Sequence, residues 1–238
     1  MKHQVKVITL QEAWAGIANC LNCPIRNSVL FAGLNESDFE ALHSPIDQFK
    51  LPAGSTLYHT TNDANYLYTI RTGIIKLQQH VPDGNHRIVR LGFTTDTIGL
   101  EALLEPKYAH DAVALSDIEV CRLPVSGINE LINANPILYK ELLSRWNKAL
   151  NDADAWLTKL STGSAKQRMA NLLLKLSNKF DTNRFQLFSR EDIGSILGIT
   201  TETASRTIAE FKRNNLLVKQ VDDYALDLKK IEKFLKAD

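Results

Sequence analysis

With 238 residues, 44% of them apolar and 23% charged, the chain can bury one large core or two modest ones and has an ordinary soluble globular composition. The net charge is +1, and three cysteines (Cys20, Cys23, Cys121) are too few for a disulfide scaffold, their odd number arguing against an all-paired secreted protein. No apolar run approaches the roughly 20 residues that span a bilayer, and the opening MKHQVKVITLQEAW lacks a signal-peptide pattern, so a cytoplasmic location is expected.

Residues 49–123 read as short strands: LPAGSTLY, NYLYTIRTGIIKLQQ, PDGNHRIVRLGF and AVALSDIEVCRLP. Glycines 54, 73, 84 and 92 punctuate them, and DGN at 83–85 is a hairpin turn. Such spacing predicts a small antiparallel barrel or sandwich. After Pro124 the periodicity becomes helical. Pro136 suits a first helical turn, and from there Tyr139, Leu142, Trp146, Ala149, Ala153, Trp156 and Leu160 alternate at spacings of three and four. That alternation predicts a coiled-coil seam between two copies of the chain, flanked by Leu143, Leu150 and Leu157.

STGSAKQ at 161–167 reads as a joint, and the charge balance changes there. Residues 1–160 hold 14 Lys/Arg against 17 Asp/Glu, whereas 161–238 hold 14 against 10, a net +4 that hints at a polyanionic partner. QRMANLLLKLSNKF predicts one apolar-striped helix and SREDIGSILG a second, with Ser189 and Asp192 spaced as a capping box. A third helix starts near Thr200, whose hydroxyl caps it, and NNLLVKQVDDYALDLKK reads as a hairpin and a final short helix.

The second and third helices have helix-turn-helix spacing, with Ile193, Ile196, Leu197, Ile199, Ala204, Ile208 and Phe211 packing between them. Glu202, Ser205, Arg206 and Ala209 then face outward at i, i+3, i+4 and i+7. Arginine pairs bidentately with the O6 and N7 of guanine, glutamate accepts from the N4 of cytosine, and serine bonds either kind of edge. Glu202, Ser205 and Arg206 are therefore the candidate base readers of double-stranded DNA. Ser189, Arg190, Thr200, Lys212, Arg213 and Lys219 are candidate phosphate contacts.

A glycine-punctuated roll, a long dimer helix and a C-terminal winged helix-turn-helix resemble the CRP/FNR family of bacterial transcription regulators, over about residues 20–235. The most specific stretch is FSREDIGSILGITTETASRTIAEFKRNNLL. Its ETASR segment is similar to the recognition helix of the FNR branch, whose half-site core is TTGA. The resemblance implies that Arg206 reads guanine and Glu202 the opposing cytosine, that the protein binds a pseudo-palindromic site as a homodimer, and that RNA polymerase is a partner. The implied fold is α+β. It has a double-stranded, cyclic-nucleotide-binding-like β-roll with the cysteine segment over 1–125, a dimerisation helix region over 126–162, and a winged helix-turn-helix over 163–238.

Cyclic-AMP-binding relatives grip the ligand with a Gly-Glu pair and an Arg-Ser/Thr pair. The matching stretch TIGLEALLEPKYAHDAVAL keeps Gly99, but Leu100 replaces the glutamate and His110-Asp111 replaces Arg-Ser. Aspartate repels a phosphate, so cyclic AMP is not expected as the signal. Cys20, Cys23 and Cys121 match three ligand positions of the [4Fe–4S] cluster in oxygen-sensing members, while Val29 stands at the fourth. Three readings of these cysteines stay open: packing thiols, a thiol redox or zinc site, and an unusual iron–sulfur cluster. Ala153 occupies the place of a repelling aspartate on the dimer helix, which implies dimerisation without a cluster. A binding module that controls a partner protein is the rival reading. An enzyme is not expected, because the histidines (3, 43, 59, 80, 86, 110) are scattered.

Overall fold

The computed structural model describes residues 10–20, 22–34, 38, 45–82, 84, 86–180 and 184–237. His3, His43, and Asp83 and Asn85 of the expected turn lie outside them. The chain divides into two compact units, Met1–Gln79 with Arg90–Asn151, and His80–Val89 with Asp152–Asp238.

The first unit is the roll. It starts with a single helical turn, α1 (Leu10–Ala13), and the strand β1 (Trp14–Ile17). The strands β2 (Asp47–Leu51), β3 (Thr56–Tyr58), β4 (Tyr66–Thr72), β5 (Ile75–His80), β6 (His86–Gly92), β7 (Thr97–Ile98), β8 (Asp111–Ala114) and β9 (Ile118–Pro124) follow. They form a five-stranded sheet in the order β1-β2-β9-β4-β7 and a four-stranded sheet in the order β3-β8-β5-β6. The strand β5 buries alternate residues, whereas the central strands β4 and β9 are buried on both faces over Leu67–Ile70 and at Val120 and Cys121. Leu67, Ile70, Ile75, Leu77, Val120 and Leu123 make the core.

Along the antiparallel β4–β9 pair, Thr69 faces Cys121 and Ile70 faces Val120, but Thr72 faces Glu119. Arg71 is the extra residue of a β-bulge.

Two helices follow the strands, α2 (Val125–Ala134) and α3 (Pro136–Leu160). Twenty-five residues make α3 about 37 Å long. It is apolar on two faces. Leu138 and Leu142 are buried in the first unit, and Trp156 and Leu160 in the second. Arg145 fastens the helix within the first unit, donating through Nη2 to the carbonyl of Ser28 (3.0 Å) and through Nη1 to that of Thr95 (3.4 Å). The other face is bare: Tyr139, Leu143, Leu150 and Leu157 are 55%, 48%, 61% and 62% exposed. Leu142, Trp156 and Leu160 of the sequence-read seam are thus covered by their own chain. Trp146, Ala149 and Ala153 are half-buried.

The second unit holds α4 (Ala165–Ser177), β10 (Arg184–Phe185), α5 (Arg190–Leu197), α6 (Thr201–Arg213), β11 (Leu217–Lys219), β12 (Tyr224–Leu226) and α7 (Leu228–Ala237). The expected joint at 161–167 ends in a capping box. The Ser164 hydroxyl accepts from the Gln167 amide (3.2 Å), and the Gln167 side chain accepts from the Ser164 amide (2.7 Å). A three-stranded sheet, β10-β12-β11, forms the wing. Met169, Leu172, Leu173, Ile208, Phe211 and Ile231 are almost fully buried, and Phe211 meets Phe234 edge-on at 5.7 Å. The tip His80–Val89 is held to α5 by Ser195, whose hydroxyl donates to the His86 carbonyl (2.6 Å) and accepts from the Ile88 amide (3.2 Å).

Candidate functional site

The reading helix α6 is built locally. Ser189 caps α5, accepting from the Asp192 amide (3.0 Å) while its hydroxyl donates to the Asp192 carboxylate (2.6 Å). Gly198 ends α5 at φ +62°, a left-handed conformation that side chains resist. A Cβ on Gly194 would stand 2.7 Å from the Ile199 carbonyl, so only glycine lets the turn pass this close to α5. Thr200 then caps α6, accepting from the Thr203 amide at 3.2 Å.

Ala204, Thr207, Ile208 and Phe211 are the buried face of α6, and they fix its rotation. Glu202, Ser205, Arg206 and Ala209 are consequently exposed together on the opposite face. Glu202 bonds its own amide and the Thr200 side chain, which lowers its pKa and keeps it an ionised acceptor. An anionic acceptor, a hydroxyl and a guanidinium on one rigid face can pair with base edges in a major groove.

Of the candidate phosphate contacts, Ser189 and Thr200 spend their hydroxyls on helix caps. Arg213 and Lys219 are exposed, and Arg190 is half-buried. Lys212 donates to the hydroxyl of Tyr224 on β12 (2.8 Å), with its Nζ also 4.4 Å from the ring centroid. The hydrogen bond from Lys212, then the charges of Lys212, Lys219 and Arg190, lower the Tyr224 pKa. Tyr224 thus marks a site where three cations from α5, α6 and the wing converge. No motif or periodicity points to this tyrosine, because only the fold brings it to Lys212.

In the roll, the position of the cyclic-nucleotide cassette is occupied by the protein's own contacts. Asp111 is buried and accepts from the Thr60 amide (2.9 Å), with His59 Nδ1 at 3.5 Å. Glu101 lies 3.8 Å from His110 Nδ1 and accepts from the Ala109 amide (3.3 Å). Tyr58 stacks on Tyr108 at 3.9 Å and on Tyr68 at 5.5 Å.

The three cysteines do converge. Cys20, Cys23 and Cys121 line one cavity of about 20 Å³ with Val29, Thr69 and Arg71, and none is in a disulfide. Arg71 Nη1 lies 3.4 Å from the Cys23 sulfur and 3.8 Å from the Cys121 sulfur, and its Nε pairs with Glu119 at 2.9 Å. Burial pushes the Cys20 thiol up to about 11, helped by the neighbouring Cys121 and Cys23. Burial also raises Cys121, against the pull of Arg71. Burial works against the charge of Arg71, but Cys121, Cys23 and Glu119 more than offset it.

These donors do not fit a four-thiolate cluster. Val29 offers no ligand, a guanidinium stands against two of the sulfurs, and the cavity is little larger than one water. Among the described residues no group of three or more His, Cys, Asp or Glu is arranged to hold a metal ion. No helix among them is long and apolar enough to cross a membrane.

Comparison with known proteins agrees with both halves of this description. The cyclic nucleotide-binding domain matches residues 48–135, and the Crp-like helix-turn-helix domain matches residues 167–234. The transcriptional activator protein FnrA of Stutzerimonas stutzeri is 28% identical over 224 residues, covering 91% of this chain and 90% of that protein. The fumarate and nitrate reduction regulatory protein of Vibrio cholerae is 27% identical over 206 residues, covering 84% and 82%. The structure of FixK2 from Bradyrhizobium japonicum shares the fold with a TM-score of 0.72 at 23% identity, over 79% of this chain and 96% of that one. With a cyclic nucleotide-binding domain followed by a Crp-like helix-turn-helix domain, the chain is a DNA-binding transcriptional regulator rather than an enzyme, similar along most of its length to regulators of the CRP/FNR type.

Proposed function

We propose that the protein acts as a homodimer that reads a pseudo-palindromic TTGA-type site, with Glu202, Ser205 and Arg206 on base edges. The observation that carries this reading is the shared outward face of these three residues on a helix whose opposite face is buried. Arg206 pairs with guanine and Glu202 with the opposing cytosine, in the manner of the FNR branch that ETASR resembles. Arg190, Lys212, Arg213, Lys219 and Tyr224 hold the phosphate backbone and set register. RNA polymerase is the partner that the family resemblance implies, and the cytoplasm the compartment.

The bare face of α3 supports the dimer. Tyr139, Leu143, Trp146, Leu150, Ala153 and Leu157 recur at spacings of 4, 3, 4, 3, 4, a heptad seam that keeps Tyr139, Trp146 and Ala153 of the seam read in the sequence and takes Leu143, Leu150 and Leu157 in place of Leu142, Ala149 and Trp156. Ala153 adds no charge to it. Two reading heads on one symmetric pair match the symmetry of a palindromic site.

The signal enters at the roll and is not cyclic AMP, a reading supported by the carboxylate of Asp111 and the stacked tyrosines. A thiol-based signal accords with the gathered cysteines. An iron–sulfur cluster would need a ligand from outside Cys20, Cys23 and Cys121, and an iron assay on anaerobically purified protein tests for one.

Base reading is tested by Arg206→Ala on a TTGA-containing duplex and on a scrambled one. Loss of about 10- to 100-fold on the first with little change on the second is expected. Equal weakening on both would reduce Arg206 to a phosphate contact.

A further inference from the structure

We infer that Cys23 and Cys121 are the two halves of a reversible intramolecular disulfide, closed by a small hydroperoxide, and that the N-terminal unit carries a dithiol switch in place of a metal centre. The inference rests on reading the roll as the part that receives the signal, and it assigns the chemistry of that signal.

The two sulfurs share one guanidinium. Arg71 reaches both from a single nitrogen, so they lie within the span of its two contacts. Arg71 lies two residues after Thr69 on β4, on the face that Cys121 shares across the ladder, and the ion pair with Glu119 holds it there. A cation between two thiols stabilises whichever of them is ionised at each stage. The cavity of about 20 Å³ that the three cysteines line has room for a water-sized reactant such as hydrogen peroxide. Thr69, the cross-strand neighbour of Cys121, is buried and lines the same cavity, and its hydroxyl has no hydrogen-bond partner. It is placed to donate to a departing oxygen.

The chemistry balances without any further reactant. The Cys23 thiolate attacks one peroxide oxygen, the O–O bond breaks, and the leaving hydroxide takes a proton to become water. Cys23 is then a sulfenic acid. The Cys121 sulfur attacks it, the S–O bond breaks, and the second oxygen leaves as water with the Cys121 proton. Two thiols give up two electrons and two protons, and one peroxide becomes two waters. A dithiol reductant reverses the bond by exchange.

Closure moves one side only. Cys121 sits inside β9 with ladders to β2 and β4 on both sides. Cys23 lies in a chain of turns, its amide 3.4 Å from the Cys20 carbonyl and its own carbonyl accepting from Arg26 (3.0 Å). Drawing Cys23 toward β9 pulls on the segment that ends at Ser28, whose carbonyl Arg145 of α3 holds. The bond therefore acts on the long helix through Arg145.

The test uses full-length protein, reduced and purified without oxygen. It is treated with equimolar hydrogen peroxide, alkylated with N-ethylmaleimide and mapped by mass spectrometry. A Cys23–Cys121 linked peptide is expected, reversed by dithiothreitol and kept in Cys20→Ser. Arg71→Gln should slow its formation by about tenfold, read as the rate of linked-peptide appearance against the unsubstituted protein. Three alkylated thiols, a Cys20–Cys23 link, or sulfinic acid alone would overturn the proposal, as would stoichiometric iron in the starting protein. DNA binding is measured on the same two samples. If the linked peptide forms but both samples bind DNA equally, the disulfide stands and the reading of the roll as signal receiver falls.

Discussion

The reading unit and the roll place their reactive residues on opposite sides of their cores. In α6, Ala204, Ile208 and Phe211 are sunk into the unit, which turns Glu202, Ser205 and Arg206 outward on a surface open to a large ligand. In the roll, Cys121 and Thr69 are buried neighbours across the β4–β9 ladder, and Arg71, two residues after Thr69 on the same strand, joins them. An outward constellation suits a macromolecule with repeated edges, and an inward one admits only a small reactant. On the roles proposed above, the chain would separate reading from sensing by burial.

The largest way to break this comparison is to remove the support behind the reading face. Phe211→Ala leaves a cavity beside Phe234 and should cost about 3–5 kcal/mol, measured by denaturant unfolding followed through the helix signal. Alkylation of Cys20, Cys23 and Cys121 should be unchanged. Altered thiol reactivity would show that the two regions do not fold independently.

The next test concerns the rod that carries the reading face. Leu150→Asp puts a charge on the bare face of α3 and should weaken the dimer by at least about 2 kcal/mol, read by sedimentation. An unchanged dimer would move the interface off this face. Smaller still is Thr200→Ala, which removes the cap of α6 and should cost about 1 kcal/mol in stability without altering base preference.

The smallest effect sharpens the phosphate assignment. Tyr224→Phe keeps the ring under Lys212 but removes one hydroxyl, and should weaken binding by about 1 kcal/mol on all duplexes with no change in salt slope. Lys219→Ala should instead lower the slope by about 0.9, because a cation releases a counterion and a phenol does not. A changed slope in Tyr224→Phe would show that Lys212 has lost its hold on the backbone.

Local chemistry made much of the second unit legible in advance. Caps at Ser189 and Thr200, glycine at 194 and 198, and the period of the apolar residues define α5 and α6. That period alone puts Glu202, Ser205 and Arg206 on one face, because such spacings are properties of a single helix. The strand-rich character of residues 49–123 and the single long helix after Pro136 were readable for the same reason. Tertiary structure decided the rest. A helix apolar on two faces does not say which face its own chain covers, so Leu142, Trp156 and Leu160 turned inward and Leu143, Leu150 and Leu157 were left bare. Arg71 met Cys23 and Cys121, and Lys212 met Tyr224, across separations that no periodicity encodes, because strand register and sheet closure are set by the whole core at once.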